Sequence, residues 1–241
     1  MYFERRKYKN FSLRQLKGRW GIPILVTLVT FLITILFYIP DFVKAFSNST
    51  FEAFLNSEFI NFSEYLDAYE QLTQSSMLSS LVQSIIETIL VIAALNLYLK
   101  MSRSPEKVGF GAFIEGLNNW WRAILCYLYK LLFITLWMFC FFIPAIIKAY
   151  SYSMMEYLVA EFPSLSIPDA MNISKIITNG SKWDLFIMEL SFLGWELLGA
   201  LSLGIGYIWI KPYRQMTYVN AYHALLKNAL EQGLIKPEDL Q

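Results

Sequence analysis

The chain has 241 residues, of which 56% are hydrophobic and 16% are charged, with a formal net charge of +1. An ordinary soluble domain has about 25% charged residues, so this composition argues against one and indicates a single polytopic membrane domain. Two cysteines and one histidine leave little material for a zinc or iron–sulfur site, and we expect no metal and no cofactor.

The first apolar segment, residues 22–40, contains no charge. A bilayer core of about 30 Å needs about 20 apolar helical residues, so this segment is long enough to cross. A cleavable signal has an apolar region of only about 7–15 residues that ends in small side chains, whereas this segment ends in Tyr38, Ile39 and Pro40. We therefore expect an uncleaved first span.

The distribution of charged residues predicts on which side of the membrane each end of the first two spans lies. Residues 1–21 are basic, which predicts a cytoplasmic N-terminal segment that also touches anionic lipid, and argues against a nucleic-acid partner. Residues 41–76 are acidic and should form an extracytoplasmic loop. The second span, about residues 77–99, returns to the basic side chains Lys100, Arg103 and Lys107.

Residues 108–123 are too polar to cross a bilayer, but Phe110, Phe113 and Leu117 recur at helical spacing opposite polar side chains. This pattern predicts an amphipathic helix at the membrane surface. The third span follows at about residues 124–143 and should end or kink at Pro144.

The second half of the chain leaves the number of spans open. Residues 145–162 form a poor spanning segment that could face inward, and residues 168–180 resemble a short amphipathic helix. A break at residues 204–206 would give a fifth span over 183–203 and a sixth over 207–226. The alternative is one long tilted helix over 183–210, after which Lys211 and Arg214 are cytoplasmic.

We therefore expect an all-α, polytopic transmembrane helix bundle over residues 22–230, with six spans favoured and four as the alternative. In both versions the tail, residues 231–241, is cytoplasmic.

Ionisable side chains within candidate spans are the default functional hypothesis in a membrane protein, because each is costly when it faces lipid. The candidates are Glu87, Glu156, Glu189, Glu196, Lys211, Arg214 and His223. Helical rise places Glu196 at a level comparable to those of Lys211 and Arg214, which predicts an ion pair with one of the two cations. Such a pair could line a polar pocket or ion path, or it could simply close the bundle.

Other polar stripes indicate seams between helices. Glu87 shares a face with Ser80, Gln83 and Ser84, which favours helix–helix hydrogen bonds and leaves a proton relay through Glu87 as the alternative. Small residues four apart, at 200 and 204 and at 202 and 206, permit close helix approach.

The sequence also resembles a known family. The matching elements are the run from Ile143-Pro144 to Ser153, then Ser191-Phe192-Leu193-Gly194-Trp195, then Leu203-Gly204-Ile205-Gly206, and Pro212-Tyr213. They are similar to the bacterial integral membrane proteins catalogued as domain-of-unknown-function family 975. Ala145 departs from the glycine usual in that family. The resemblance implies a multi-pass protein of a bacterial plasma membrane and no established activity.

No nucleophile elbow or metal-binding motif is present, so we expect no enzyme. The favoured function is a non-enzymatic membrane interaction, assembly or envelope-homeostasis factor, with a membrane-protein partner or a second copy of the chain. A small transporter or channel-like permease is the first alternative. A membrane-embedded lipid-modifying enzyme is the second.

Overall fold

The computed structural model describes residues 3–47, 63, 66 and 77–240. Most of the acidic segment expected to face outward, residues 41–76, therefore lies outside the described residues. Among the described residues the secondary structure is entirely helical, as expected.

The helices follow one another through short connections. In chain order they are α1 (Arg5–Leu16), α2 (Gly21–Ser47), α3 (Met77–Arg103), α4 (Gly111–Leu117), α5 (Trp120–Cys140), α6 (Phe142–Ser151), α7 (Met155–Glu161), α8 (Ile167–Ile177), α9 (Lys182–Leu201), α10 (Tyr207–Glu231) and a 3-10 helix (Pro237–Leu240).

Three of the described helices are long and apolar enough to cross a membrane. The stretches that qualify are Gly21–Pro40 in α2, Ser79–Arg103 in α3 and Trp120–Phe139 in α5. Pro40 does not end its helix, because α2 continues to Ser47. A proline inside such a helix removes one backbone hydrogen bond, which neighbouring groups can replace.

The described chain divides into two compact units, Met1–Leu28 with Thr88–Gln241, and Val29–Glu87. In the first unit, α1 packs against α10, and α8 packs against α5, α7 and α10. The largest fully buried side chains of this unit include Leu16, Tyr152, Met155, Leu158 and Tyr222. Its core therefore involves the short helices, while α5 and α9 present many apolar side chains outward.

The amphipathic helix predicted over residues 108–123 is shorter than predicted. Helix α4 covers only Gly111–Leu117, and α5 already begins at Trp120. Residues 118 and 119 form a turn between them, in which Asn119 N–H bonds to the carbonyl of Gly116 at 3.3 Å. Helix α4 is held to α3, because the Asn96 side chain donates to the carbonyl of Ala112 at 2.7 Å.

The break after the third span lies three residues earlier than predicted. Helix α5 ends at Cys140, and Phe141 has extended backbone angles (φ −167°, ψ 149°). Pro144 lies in the first turn of α6, where its missing N–H would be unpaired in any case.

The poor spanning segment, residues 145–162, corresponds to α6 and α7 with a turn between them. Two contacts fix its direction against α5. Lys148 Nζ lies 4.4 Å from the ring centre of Trp137 near the end of α5, and Arg122 near its start donates to the carbonyl of Phe162. Helices α6 and α7 together therefore run antiparallel to α5.

Helices α9 and α10 form a hairpin, so the alternative of one long helix over residues 183–210 is wrong. The turn contains Leu203 (φ 54°) and Gly204 (φ 87°), of which Gly204 lies within the predicted break at residues 204–206 and Leu203 directly precedes it. A Cβ atom on Gly206 would lie 3.0 Å from Cα of Gly199, so these two glycines let the helices approach closely. The predicted small-residue spacings included Gly206 but missed Gly199.

Candidate functional site

An acid–arginine cluster, composed of Glu189, Glu196 and Arg214, lies between α9 and α10. Arg214 Nη2 is 3.1 Å from Glu189 Oε1, and Arg214 Nη1 is 3.2 Å from Glu196 Oε1. The two glutamates are two helical turns apart on α9 and so share a face. Since the hairpin brings α10 back along α9, one guanidinium bridges both carboxylates.

Two tyrosines complete the surroundings of this cluster. The Tyr150 hydroxyl on α6 donates to Glu189 Oε2 at 2.8 Å. Arg214 Cζ lies 5.7 Å from the ring centre of Tyr218, a distance at which a cation is attracted to the ring face. The cluster therefore connects α6, α9 and α10 through charged and aromatic contacts.

The acid–arginine cluster is half-buried and carries one cation for two carboxylates. The side chains of Arg214 and Glu196 are 36% and 30% exposed. No group of three or more His, Cys, Asp or Glu residues that could hold a metal ion occurs in the described part of the chain. The arrangement can hold helices together, and its excess negative charge can attract a cation.

Lys211, the other predicted partner of Glu196, is not in the cluster. Its side chain is exposed and has no ion pair with a described residue. Arg214 is the cation that contacts α9. Helical rise predicts the level of each side chain, but it does not predict which of two neighbouring cations faces the partner helix.

A second charge pair joins α5 to α7. Lys130 Nζ donates to Glu156 Oε1 at 2.8 Å, and both side chains are about three-quarters buried. Glu156 was a predicted site residue, but Lys130 was not. The available signal was a lysine in the middle of an apolar segment, followed by a glutamate in the next one. Nearby, Cys126 is buried and free, and it lies on the same helix as Cys140.

His223 lies in a third polar cluster, away from the acid–arginine cluster. Its Nε2 is 2.8 Å from Ser102 Oγ. The hydroxyl of Ser102 also donates to the carbonyl of Leu99 at 2.7 Å. Next to it, Arg103 forms an ion pair with Glu161, whose side chain is only 2% exposed. These contacts join α3, α7 and α10, and Glu161 was missed in the sequence.

Glu87 belongs to the second unit of the chain. The hydroxyl of Tyr38 donates to Glu87 Oε1 at 3.4 Å, and the side chain of Gln83 donates to the carbonyl of Phe37 at 3.3 Å. Both contacts join α2 to α3, which is the kind of helix seam that the polar stripe predicts.

The basic N-terminal segment forms a helix that docks on the hairpin. Lys9 Nζ donates to the carbonyl of Ser191 at 3.1 Å and lies 4.0 Å from the ring centre of Phe192. Burial removes water from this ammonium group and lowers the pKa of Lys9. The side chain of Asn220 on α10 donates to Ser12 Oγ at 2.9 Å. Sequence reasoning missed this docking, because the charges of α1 obscure its buried face.

A family model described as Protein of unknown function (DUF975) matches residues 1–151 and 140–229. Neither a curated protein nor a solved structure matches the chain. The family match covers the motifs on which the resemblance in the sequence rests, from Ile143-Pro144 to Pro212-Tyr213. The chain therefore belongs to the DUF975 family.

Proposed function

We propose that the protein is a non-enzymatic factor of a bacterial plasma membrane, which acts in membrane interaction, assembly or envelope homeostasis. Three helices long and apolar enough to cross a membrane support the location. The basic α1 and the positive-inside rule support cytoplasmic termini.

The observation that carries this proposal is the pairing of ionisable groups with one another. Arg214 bridges Glu189 and Glu196, and Lys130 pairs with Glu156. Paired charges of this kind satisfy each other and hold helices in register, which a structural or assembly role requires.

The outward surface of the helices supports an interaction role. Large apolar side chains on α5 and α9 are exposed, among them Trp121, Leu125, Leu132, Leu136, Leu190, Leu193, Leu197 and Leu201. A surface of this composition fits lipid acyl chains, a membrane-protein partner or a second copy of the chain.

One observation favours a permease as the second candidate. The acid–arginine cluster is partly exposed and has one more carboxylate than cations, so it could receive a cation from solution. In that case Glu196 would bind the transported ion, and Arg214 would set its affinity.

Glu196→Gln separates the two functions, with Lys211→Gln as the matched control. An assembly factor predicts that Glu196→Gln lowers folded yield and co-purification of cross-linked partners together, while Lys211→Gln changes neither. A permease predicts cation flux in proteoliposomes that Glu196→Gln abolishes without loss of folded protein. Flux that depends on Glu196 in this way would overturn the assembly proposal.

The number of six spans stays a prediction. It requires that α6 and α7 together form one span of the membrane, and that α9 and α10 each form another. The antiparallel course of α6 and α7 beside α5 supports a fourth crossing. The side of the membrane can be tested with Asn179→Cys, which lies between α8 and α9, in a Cys126→Ser, Cys140→Ser background. We expect protection from an impermeant thiol reagent in intact cells, and labelling from outside would contradict a cytoplasmic position.

A further inference from the structure

We infer that the α9–α10 hairpin enters one leaflet and turns back, with its apolar end among lipid acyl chains and α1 at the headgroups of that same leaflet. This inference goes beyond the proposed function, and it replaces two of the six predicted spans with one re-entrant element.

Helix α1 marks where the water-exposed part of the hairpin ends. The ammonium group of its Lys9 contacts Ser191 and Phe192 on α9, so a charged group of α1 lies at this level of the hairpin. Helix α1 also exposes the cations Arg6, Lys7 and Arg14, of which Lys7 and Arg14 lie on the face away from Lys9. A charged side chain at the bilayer centre costs about 2.5–3.5 kcal/mol even on the lowest scale. The level of Ser191 therefore lies at the headgroups or in water.

The part of the hairpin beyond this level is too short to cross. Residues 192–203 rise about 1.5 Å each, which gives about 18 Å from Phe192 to the tip. A hydrocarbon core is about 30 Å thick. Because Ser191 lies at or above the headgroups, the tip ends inside the core, near its middle.

The tip of the hairpin has an apolar surface, as expected of a segment in contact with lipid acyl chains. Leu201 and Leu203 are 80% and 93% exposed, and Ile205 is exposed beside them. Residues 197–210 contain no charged side chain. Exposed Lys211 lies about five residues below the turn, from where its ammonium group can extend along the helix toward the headgroups.

The backbone of the turn is satisfied within the turn itself. Gly204 N–H bonds to the carbonyl of Gly199 at 3.0 Å, and Ile205 N–H bonds to that of Ser202 at 3.2 Å. The Ser202 hydroxyl also donates to Gly199 at 2.7 Å and accepts from Gly206 N–H at 2.8 Å. Since unpaired backbone groups are not tolerated in hydrocarbon, these bonds are what a turn inside a leaflet needs.

The test is the depth of a fluorophore attached at Leu203→Cys in full-length protein that lacks Cys126 and Cys140. The protein is reconstituted into vesicles of phosphatidylethanolamine and phosphatidylglycerol. Quenching is compared between lipids with a spin label near the headgroup, lipids with one deep in the acyl chain, and aqueous iodide on both sides. Asn179→Cys, at the opposite end of α9, is the matched control.

We expect deep spin labels to quench the Leu203 fluorophore several-fold more than shallow labels do, and iodide to quench only the Asn179 control. Iodide quenching at Leu203 equal to that at Asn179 would overturn the inference, since the tip would then reach water. A fluorophore quenched by neither lipid nor iodide would overturn it as well, since protein would cover the tip. Ile205→Cys repeats the measurement if Leu203→Cys does not fold. The partner and flux assays above do not depend on this depth, so the two proposals can fail separately.

Discussion

Replacing Arg214 by glutamine removes the one cation that contacts both Glu189 and Glu196, at 3.1 and 3.2 Å. Exposed ion pairs contribute about 0.2–1 kcal/mol each, whereas loss of one partner from a buried pair costs about 3–5 kcal/mol. Arg214 is half-buried, so the expected cost lies between these limits, at about 2 kcal/mol. For a chain of this size, that corresponds to a fall in Tm of about 4–8 °C.

The assay is thermal unfolding of purified protein in lipid nanodiscs, with Lys211→Gln as the control. Lys211 is on the same helix but has no ion pair with a described residue, so its replacement should change stability by less than about 0.5 kcal/mol. A double-mutant cycle with Glu196→Gln should show a coupling of about 1 kcal/mol. If Arg214→Gln is no less stable than Lys211→Gln and the coupling is zero, the cluster does not hold the hairpin together.

Three further changes test other contacts. Gly116→Ala would place a Cβ atom 2.6 Å from the backbone of α3, so it should lower the free energy of unfolding by about 1–3 kcal/mol in a thermal unfolding assay. The control is Gly111→Ala, whose Cβ atom meets nothing within 4 Å and which should be neutral or stabilising. Lys130→Met should destabilise by about 3 kcal/mol, because it leaves Glu156 unpaired, and Lys130→Met with Glu156→Met should destabilise by much less. Equal losses would show that the cost does not come from the unpaired carboxylate. Ser166→Ala removes the side chain that caps α8 at 3.2 Å, so it should cost about 1 kcal/mol, and an unchanged Tm would contradict the cap.

Features that depend on local sequence were predictable. The end of α8 follows from Gly180, whose φ of 78° suits glycine, and its start follows from a proline in the first turn. The break before α10 follows from two glycines in an apolar run, and α10 begins at Tyr207 as predicted. The all-helical class follows from run length and composition.

Contacts that depend on how helices turn toward one another were not predictable. Whether Lys211 or Arg214 faces Glu196 depends on how α10 is rotated about its own axis. The helical rise per residue gives the level of a side chain but not this rotation. The partner of Glu156 was missed because Lys130 is a single cation in an apolar run. Docking of α1 was missed because Ser12 is buried but polar, so it leaves no hydrophobic signal.

The turn between α6 and α7 has a consequence for the order in which the chain is completed. The carbonyl of Ser151 accepts hydrogen bonds from Ser174 Oγ at 2.8 Å and Thr178 Oγ1 at 3.3 Å, which follow it by 23 and 27 residues. At a synthesis rate of about 5–20 residues per second, these hydroxyls arrive about 1–5 s after Ser151. During that interval the carbonyl lacks these two partners, so the segment from Phe142 to Glu161 cannot reach its final packing on α5 until α8 has been made.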